Sequence, residues 1–338
     1  RPGRQGRNRP CPFKDMPVDR PLSNDCITIL LASYRGAGFI GAQLDSIAAQ
    51  THRRWRLIVS DDGSDDGTRG IVADFAASRP AGQVRLIEGP HRGATQNFLH
   101  LLSAAPDGAI AFCDQDDVWF PDKLARALSA LSRHHGPAHY AARTVITDAA
   151  LTPVAQSRHF PRLLGFRNAL VQAIMAGNTS VFNAPAAAIL RRCAPAARAR
   201  DIVSHDWWAY QVTSGSGAAL IHDPQPALFY RQHPRSVMGR NDTVAALSQR
   251  MAMLLAGDYG GWLAANHAAL HAVRSELSPE NRPVLDHFGA ALHQAGPLAA
   301  ARMARIGLYR QTRAGTAALF AAALMGRLRQ CGPSSPSR

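Results

Sequence analysis

The sequence predicts an α/β fold built on a mostly parallel sheet, and three observations carry that prediction. Short apolar runs bounded by turn residues alternate with stretches of helical spacing from Cys26 to Leu131. Polar clusters close the strands at one end: Ser33-Tyr34 after the first, Asp61-Asp62 after the second, Asp114 to Asp117 after the fourth. Beyond Asn241 the strand signal stops and an Ala, Leu and Arg composition takes over. Strands alternating with helices argue for βαβ units. Their right-handed crossovers bring the strand C-termini to one edge, where ligands sit.

Each element has its own justification. CITILLAS at 26–33 is a buried strand, and Phe39, Ile40, Leu44 and Ile47 then fall at helical spacing between Gly38 and Gln50. RLIVS is the second strand, closed by the turn cluster DDGSDDGT, with a helix over about 68–78. QVRLIEG is a strand, 94–104 a helix, AIAFCD a strand and Pro121–Leu131 a helix. Residues 140–240 are mixed, with shorter strands at RTVITD and GAALIHD and a helix around Pro185–Cys193. The remainder reads as a helical extension broken at Ser278-Pro279 and Gly296-Pro297. The predicted organisation is a flexible basic tail (1–24), an α/β domain (25–240) and an Ala/Arg-rich helical extension (241–338). Every strand-bearing motif precedes Asn241, so the extension from Gly296 onward is expected to be dispensable for folding.

With 338 residues, 46% hydrophobic and 18% charged, the chain has ordinary globular composition, which excludes collagen, a coiled coil and a disulfide scaffold. The net charge of +14 rests almost wholly on arginine, since Lys14 and Lys123 are the lysines. That balance suits an anionic partner such as nucleic acid, a membrane surface or a phosphorylated substrate. Five scattered cysteines without C-x-x-C spacing argue against zinc or disulfides and for a reducing compartment. No apolar leader is visible, and the run Ala317–Gly326 is shorter than the about 20 residues that span a bilayer. The expectation is a soluble or peripheral protein.

Four clusters carry candidate chemistry. Asp114-Gln115-Asp116-Asp117 sets three carboxylates in a four-residue run after an apolar strand, a pattern that suits a hard divalent cation, Mg²⁺ or Mn²⁺, bridging to phosphate. The same residues would serve as an Asp-rich turn ahead of the next helix. Asp61 to Thr68 is a second acidic cluster on the same edge, equally readable as a turn with a helix cap. Ser204-His205-Asp206-Trp207-Trp208 offers a candidate general base beside two tryptophans, which are more commonly core residues. Tyr230-Arg231-Gln232-His233-Pro234-Arg235 places a histidine between arginines, suited to a metal or a diphosphate, or simply structural.

TILLASYR, IVSDDGSDDGT, FCDQDDVWFPDKL, SHDWW and YRQH, in that order over about residues 25–240, resemble the inverting family 2 glycosyltransferases with a GT-A fold. DQDDVW, HDWW and YRQH most resemble bacterial rhamnosyltransferases of O-antigen and related surface polysaccharides. The resemblance implies nucleotide-sugar contacts from Tyr34, Asp61, Asp62, Asp114 and Gln115, metal ligation by Asp116 with Asp114 and His233, and Asp206 as catalytic base. Gly177, Asn178, Trp207, Arg231 and Arg235 are weaker candidates for the acceptor or diphosphate. One stretch departs from the pattern. Where the family often has Asn-x-Gly followed by Ala-Arg-Asn, this chain has His91-Arg92-Gly93-Ala94-Thr95-Gln96-Asn97, which puts any donor contact from that helix in doubt.

The implied reaction is a single in-line displacement, with dTDP-β-L-rhamnose as donor and a glycan or lipid-linked oligosaccharide as acceptor. A hexose donor such as UDP-glucose or UDP-galactose is the nearest rival. A nucleic-acid-binding role has the charge in its favour but no motif and no interleaved aromatics, and a catalytically dead sugar-nucleotide binder would not need the candidate base. No nucleic acid is therefore expected as partner. From His287 to the end there are seven arginines and no acidic residue; on one helix Arg302, Arg305, Arg310 and Arg313 would share an arc of about 140°. Such a face suits anionic lipid, and the resemblance implies work at the inner face of the cytoplasmic membrane.

Overall fold

The computed structural model describes residues 26–233 and 258–329; the basic tail at 1–24, the junction at Asn241 and Arg235 lie outside the described residues. The first half is a run of βα units: β1 (Ile27–Ser33), α1 (Ile40–Ala48), β2 (Trp55–Asp61), α2 (Thr68–Ala77), β3 (Val84–Glu88), α3 (Ala94–Ala104) and β4 (Ala109–Asp114). β5 (Val118–Trp119), α4 (Lys123–Leu131), β6 (Ala138–Thr147), β7 (Pro153–Gln156), α5 (Phe166–Ala169), β8 (Val181–Phe182), α6 (Ala184–Arg198), α7 (His205–Gly215) and β9 (Ala219–Arg231) follow. Four further helices close the described chain: α8 (Asp258–Ala272), α9 (Asn281–Leu292), α10 (Gly296–Arg305) and α11 (Arg313–Leu324).

The sheet runs β3-β2-β1-β4-β8-β6-β9-β5, with β7 on the outside of β6. β3, β2, β1 and β4 are mutually parallel, as their crossover helices require. Both faces of β1, β2 and β4 are covered, which is why these strands are buried almost throughout, whereas the edge strand β3 exposes Arg85 and Glu88. Ile27, Ile29 and Leu31 of β1 join the cluster with α1 and α4, while Leu30 faces Phe112, Phe98 and the helices of the other side. The second half is mixed: β8 is antiparallel to β4 and β6, and β9 runs parallel to β6. β9 runs through Pro224 and Pro226 because its register with β6 shifts between Ala142 and Arg143, a bulge where a missing N–H costs no ladder bond.

The C-terminal helices share the core on the Leu30–Phe112 side of the sheet. Tyr259, Leu263, Leu285, Phe288, Met303, Leu308 and Leu319 belong to the same buried cluster as Leu190, Trp207 and Trp208. Ser278-Pro279 falls in the gap between α8 and α9, as the sequence puts it, while the second break is at 293–295 and Gly296-Pro297 opens α10. The single arginine arc is not present. α10 ends at Arg305, and Gly307 adopts φ 71°. The Gly307 N–H then bonds Ala304 O, and the Leu308 N–H bonds Met303 O. Arg302 and Arg305 therefore lie on one helix and Arg313 opens the next. Arg310 sits in the loop between and turns inward, donating to Val171 O at 3.2 Å and to the Tyr259 hydroxyl at 3.1 Å. Among the described residues no helix is long and apolar enough to cross a membrane.

Candidate active site

The C-terminal edge of the parallel strands is organised by the acidic turn after β2. Asp61 is fully buried and accepts from the Ser33 and Ser64 hydroxyls, both at 2.7 Å, which ties the ends of β1 and β2 together. Asp62 accepts the His91 and Gly93 N–H groups at 2.6 and 2.7 Å, fixing the loop that opens α3. Ser64 and Thr68 take the Arg35 and Gly36 N–H groups, and Asp65 pairs with the Arg35 guanidinium at 2.6 Å. The bonds are those of the turn reading: the carboxylates build the loop that presents Tyr34, whose side chain is half-exposed. Asn97, on the helix that departs from the family pattern, donates to Ser60 O at 2.8 Å and stays inside the fold.

Gln115 joins that loop to the acidic run after β4. Its amide pairs with Tyr34 in both directions, Oε1 accepting the Tyr34 N–H and Nε2 donating to Tyr34 O, each at 2.9 Å. A Cβ at Gly36 would overlap Gln115 Oε1, so a larger residue there would push this amide off Tyr34. Asp116 Oδ2 lies 2.8 Å from His233 Nε2, and the imidazole stacks on Phe39 with ring centroids 4.4 Å apart. Arg231 donates to Asp116 O at 3.0 Å and to Ala149 O at 2.6 Å, pinning the end of β9 beneath the loop. Burial pushes Asp114 up to about 7, aided by the negative fields of Asp116 and Asp206 and opposed without being cancelled by Lys123.

Asp206 lies in the first turn of α7, where an acid also complements the helix dipole. Its Oδ1 accepts from the Trp207 N–H at 2.7 Å and from the Ser204 hydroxyl, and its Oδ2 accepts the Gly177 N–H at 3.2 Å. A Cβ on Gly177 would stand 2.8 Å from His205 Nε2 and 3.1 Å from Asp206 Cβ, so only glycine lets this turn approach α7. His205 is stacked on Phe98 at 3.8 Å, and burial lowers its pKa to about 4, against the opposing field of Asp206. It is neutral at pH 7 and acts as packing.

The structure therefore brings Tyr34, Asp114, Gln115, Asp116, His233, Gly177 and Asp206 to one edge. It takes others away. Trp207 is buried in the core, its indole N–H donating to Ala169 O at 2.6 Å. Arg231 is buried and engaged by backbone carbonyls. Asn178 is buried, its side chain donating to Asp117 Oδ2 at 2.7 Å. Lys123 is the residue the sequence reading passed over, and Asp117, counted there with the acidic run, turns inward. Both are fully buried, and Lys123 donates to Asn178 O at 2.8 Å while lying 3.2 Å from the Trp119 ring centroid. Burial holds Lys123 down to about 7, against the fields of Cys113, Asp117 and Asp114. Its signal was in the composition: a chain with 38 basic residues places one of its two lysines beside the acidic run.

Carboxylates and an imidazole are ligand types that a divalent cation takes. Asp116 and His233 are in contact, and Asp114 lies close enough to feel the field of Asp116, its carboxyl raised first by burial and then by Asp116 and Asp206. Among the described residues no three His, Cys, Asp or Glu side chains are gathered so that they could hold a metal ion by themselves. A cation here would be held by one or two carboxylates, with phosphate oxygens and water completing the sphere.

Residues 28–194 match the model of Glycosyl transferase family 2, so the chain carries a family 2 glycosyltransferase domain and is a glycosyltransferase by class. Among particular relatives, dTDP-rhamnosyl transferase RfbG of Shigella flexneri is 26% identical over 240 residues, 66% of this chain and 78% of that protein. An uncharacterized protein of Mycobacterium tuberculosis is 28% identical over 217 residues, and the match spans 60% of its length. The UDP-Glc:alpha-D-GlcNAc-diphosphoundecaprenol beta-1,3-glucosyltransferase WfgD of Escherichia coli is 33% identical over 110 residues, 32% of this chain and 42% of that protein. TarS of S. aureus superposes with a TM-score of 0.50 at 15% identity, covering 79% of this chain and 53% of that one, a likeness of fold alone. That fold is GT-A, as the resemblance implied.

Proposed function

We propose that this protein is a metal-dependent inverting glycosyltransferase that moves L-rhamnose from dTDP-β-L-rhamnose to a hydroxyl of a glycan or lipid-linked oligosaccharide in surface-polysaccharide synthesis, O-antigen included. The observation that carries the reading is the gathering of Asp114, Asp116 with His233, and Asp206 at one sheet edge, where Asp114 is raised by burial first and by the fields of Asp116 and Asp206 after it. The rhamnosyl donor is supported by the similarity to RfbG and by the DQDDVW, HDWW and YRQH motifs. A hexose donor is the second reading, favoured by the similarity to WfgD.

In this reading Tyr34 and the loop braced by Asp61 and Asp62 receive the nucleotide, and Gln115 fixes that loop against the acidic run. Asp114, Asp116 and His233 would hold Mg²⁺ or Mn²⁺, which when bound would offset the charge growing on the departing diphosphate. Asp206 takes the proton from the acceptor hydroxyl as it attacks the anomeric carbon from the side opposite the diphosphate. One displacement inverts the configuration, so a β-linked donor gives an α-linked product.

Peripheral attachment to the inner face of the cytoplasmic membrane completes the proposal. Arg305, Arg313, Arg327 and Arg329 are exposed. The start of α10 lies against the end of α11, with 3.4 Å from a Cβ at Gly326 to Ala295 Cβ, and Leu298, Leu324 and Met325 are each more than half exposed at that end. Arg327 and Arg329 follow this apolar end in the chain, while Arg305 and Arg313 lie at the far ends of the two helices; exposed apolar and basic side chains together suit an anionic lipid surface. The test of the catalytic reading is a panel of nucleotide sugars with Mg²⁺ or Mn²⁺. Nucleotide diphosphate release is expected with dTDP-rhamnose, and release confined to UDP-hexoses would transfer the assignment to the second reading.

A further inference from the structure

Two buried ionisable side chains in this protein meet on a single neutral residue. Asp117 and Lys123 are both fully buried, next to the acidic run and in the first turn of α4 respectively. Asp117 Oδ2 accepts the Asn178 side-chain amide at 2.7 Å, and Lys123 Nζ donates to the Asn178 carbonyl at 2.8 Å. Asn178 is thus gripped at both ends, inside the 3₁₀ turn Gly177–Thr179. The turn is closed by Thr179 N–H to Ala176 O at 3.1 Å and Ser180 N–H to Gly177 O at 2.9 Å. It is tied back to β4 by the Phe112 N–H on Ser180 O at 3.1 Å. On its other side the Gly177 N–H donates to Asp206 Oδ2.

Burying two ionisable groups costs desolvation in either protonation state, and a well-packed apolar set of the same volume is commonly as stable or more so. Stability alone therefore does not call for this arrangement. Direction does. The series Asp117–Asn178–Gly177–Asp206 joins the loop carrying Asp114 and Asp116 to the carboxylate on α7, with one side-chain amide and one backbone N–H as links.

We propose that Asn178 is a positioning residue that sets Asp206 against the Asp114–Asp116 loop, with Asp117 and Lys123 as its two anchors. The proposal rests on the reading of Asp206 as general base. Asn178 touches no reacting atom; it acts through Gly177 and Asp206. A displacement of about 1 Å at such a distance from the chemistry costs on the order of 10²-fold in rate.

The experiment is a double-mutant cycle on the full chain, read as nucleotide diphosphate release with Mn²⁺ and water as acceptor, alongside binding of dTDP with Mn²⁺. Asn178→Ala is expected to lower kcat about 10²-fold with donor KM and dTDP affinity within about threefold, since the donor side is untouched. In the Asp206→Asn background the same substitution should cost less than about threefold, because the group it positions is already disabled. Lys123→Met keeps the buried volume and removes one anchor, and it runs the same cycle if Asn178→Ala does not fold. Losses that multiply across the cycle overturn the inference and leave the base assignment standing, as does a loss of dTDP binding at unchanged kcat. Full turnover in Asp206→Asn alone overturns the base assignment and this inference with it.

Discussion

Asp206 is held by two backbone N–H groups and a serine hydroxyl, and its field reaches Asp114 across the edge of the sheet. A carboxylate fixed in this way is suited to take a proton without contributing to nucleotide binding. Asp206→Asn should therefore lower kcat by 10²–10⁴-fold and leave dTDP affinity within a few-fold. A variant that lost dTDP binding while keeping its turnover number would move Asp206 to donor recognition. At this scale the sequence was readable where residues are adjacent, as in the acidic run, and silent where contact is made across the fold. Asp62 reaches His91 and Gly93, and Asp117 reaches Asn178 across 61 residues of chain, so neither partner is visible from spacing. Trp207 is the case where composition misleads, since an indole beside a candidate base is here a core side chain.

Elements were legible in proportion to how much of their burial was apolar and continuous. β1, β2, β3 and β4 follow from their sequences alone, whereas the two-residue strands β5 and β8 carry no periodicity to detect. β6 begins at Ala138, earlier than RTVITD suggests, because the alanines of AHYAA have little strand propensity and are set by their neighbours. β6 and β9 are locked by Asp223, which accepts from the Tyr140 hydroxyl and from Arg126 Nη2, both at 2.6 Å. Burial alone would raise Asp223, but these hydrogen bonds outweigh it and hold the carboxyl below its ordinary value. Its contribution to stability is then present above the unfolded-state pKa of about 4 and is lost as pH falls through the lower folded value. The stability difference between wild type and Asp223→Asn should shrink as pH falls below about 4, followed by chemical denaturation; a difference constant with pH would remove the group from acid sensitivity. On α10, Arg302→Glu with Arg305→Glu should weaken sedimentation with phosphatidylserine-containing vesicles at low salt. Loss of two basic residues alone is worth roughly thirtyfold, and nucleotide release should be unaltered. Salt-insensitive binding by the double variant would assign attachment to the apolar end instead.

At the scale of the whole molecule the helical extension is part of the core. Removing residues from Gly296 onward would strip Met303, Ile306, Leu308, Leu319 and Leu328 from the shared cluster. It would also remove the Ile306 and Tyr309 carbonyls that accept from Arg167 and Asn168. Each large apolar side chain contributes about 1.5–3 kcal/mol, and the total is comparable with the 5–15 kcal/mol that typically holds a domain together. The expectation that the extension is dispensable followed from counting strands, and strands do not report where helices dock. The truncated chain should melt at least about 10 °C lower or fail to accumulate as soluble protein; an unchanged melting temperature would show that the cluster closes without it. The basic residues on this body also explain why charge alone was ambiguous, since arginines such as Arg231 and Arg310 point inward to carbonyls while others face solvent.

The central claim is that the edge formed by Asp114, Asp116 and His233 carries a cation needed for sugar transfer. It is tested most directly by nucleotide diphosphate release from dTDP-rhamnose, comparing wild type with Mn²⁺, wild type in EDTA, and Asp116→Asn with Mn²⁺. The prediction is robust release in the first case and a fall of several orders of magnitude in the other two, with the folded state of Asp116→Asn verified by its melting temperature. Release at the wild-type rate from metal-free enzyme, or from Asp116→Asn, would contradict it.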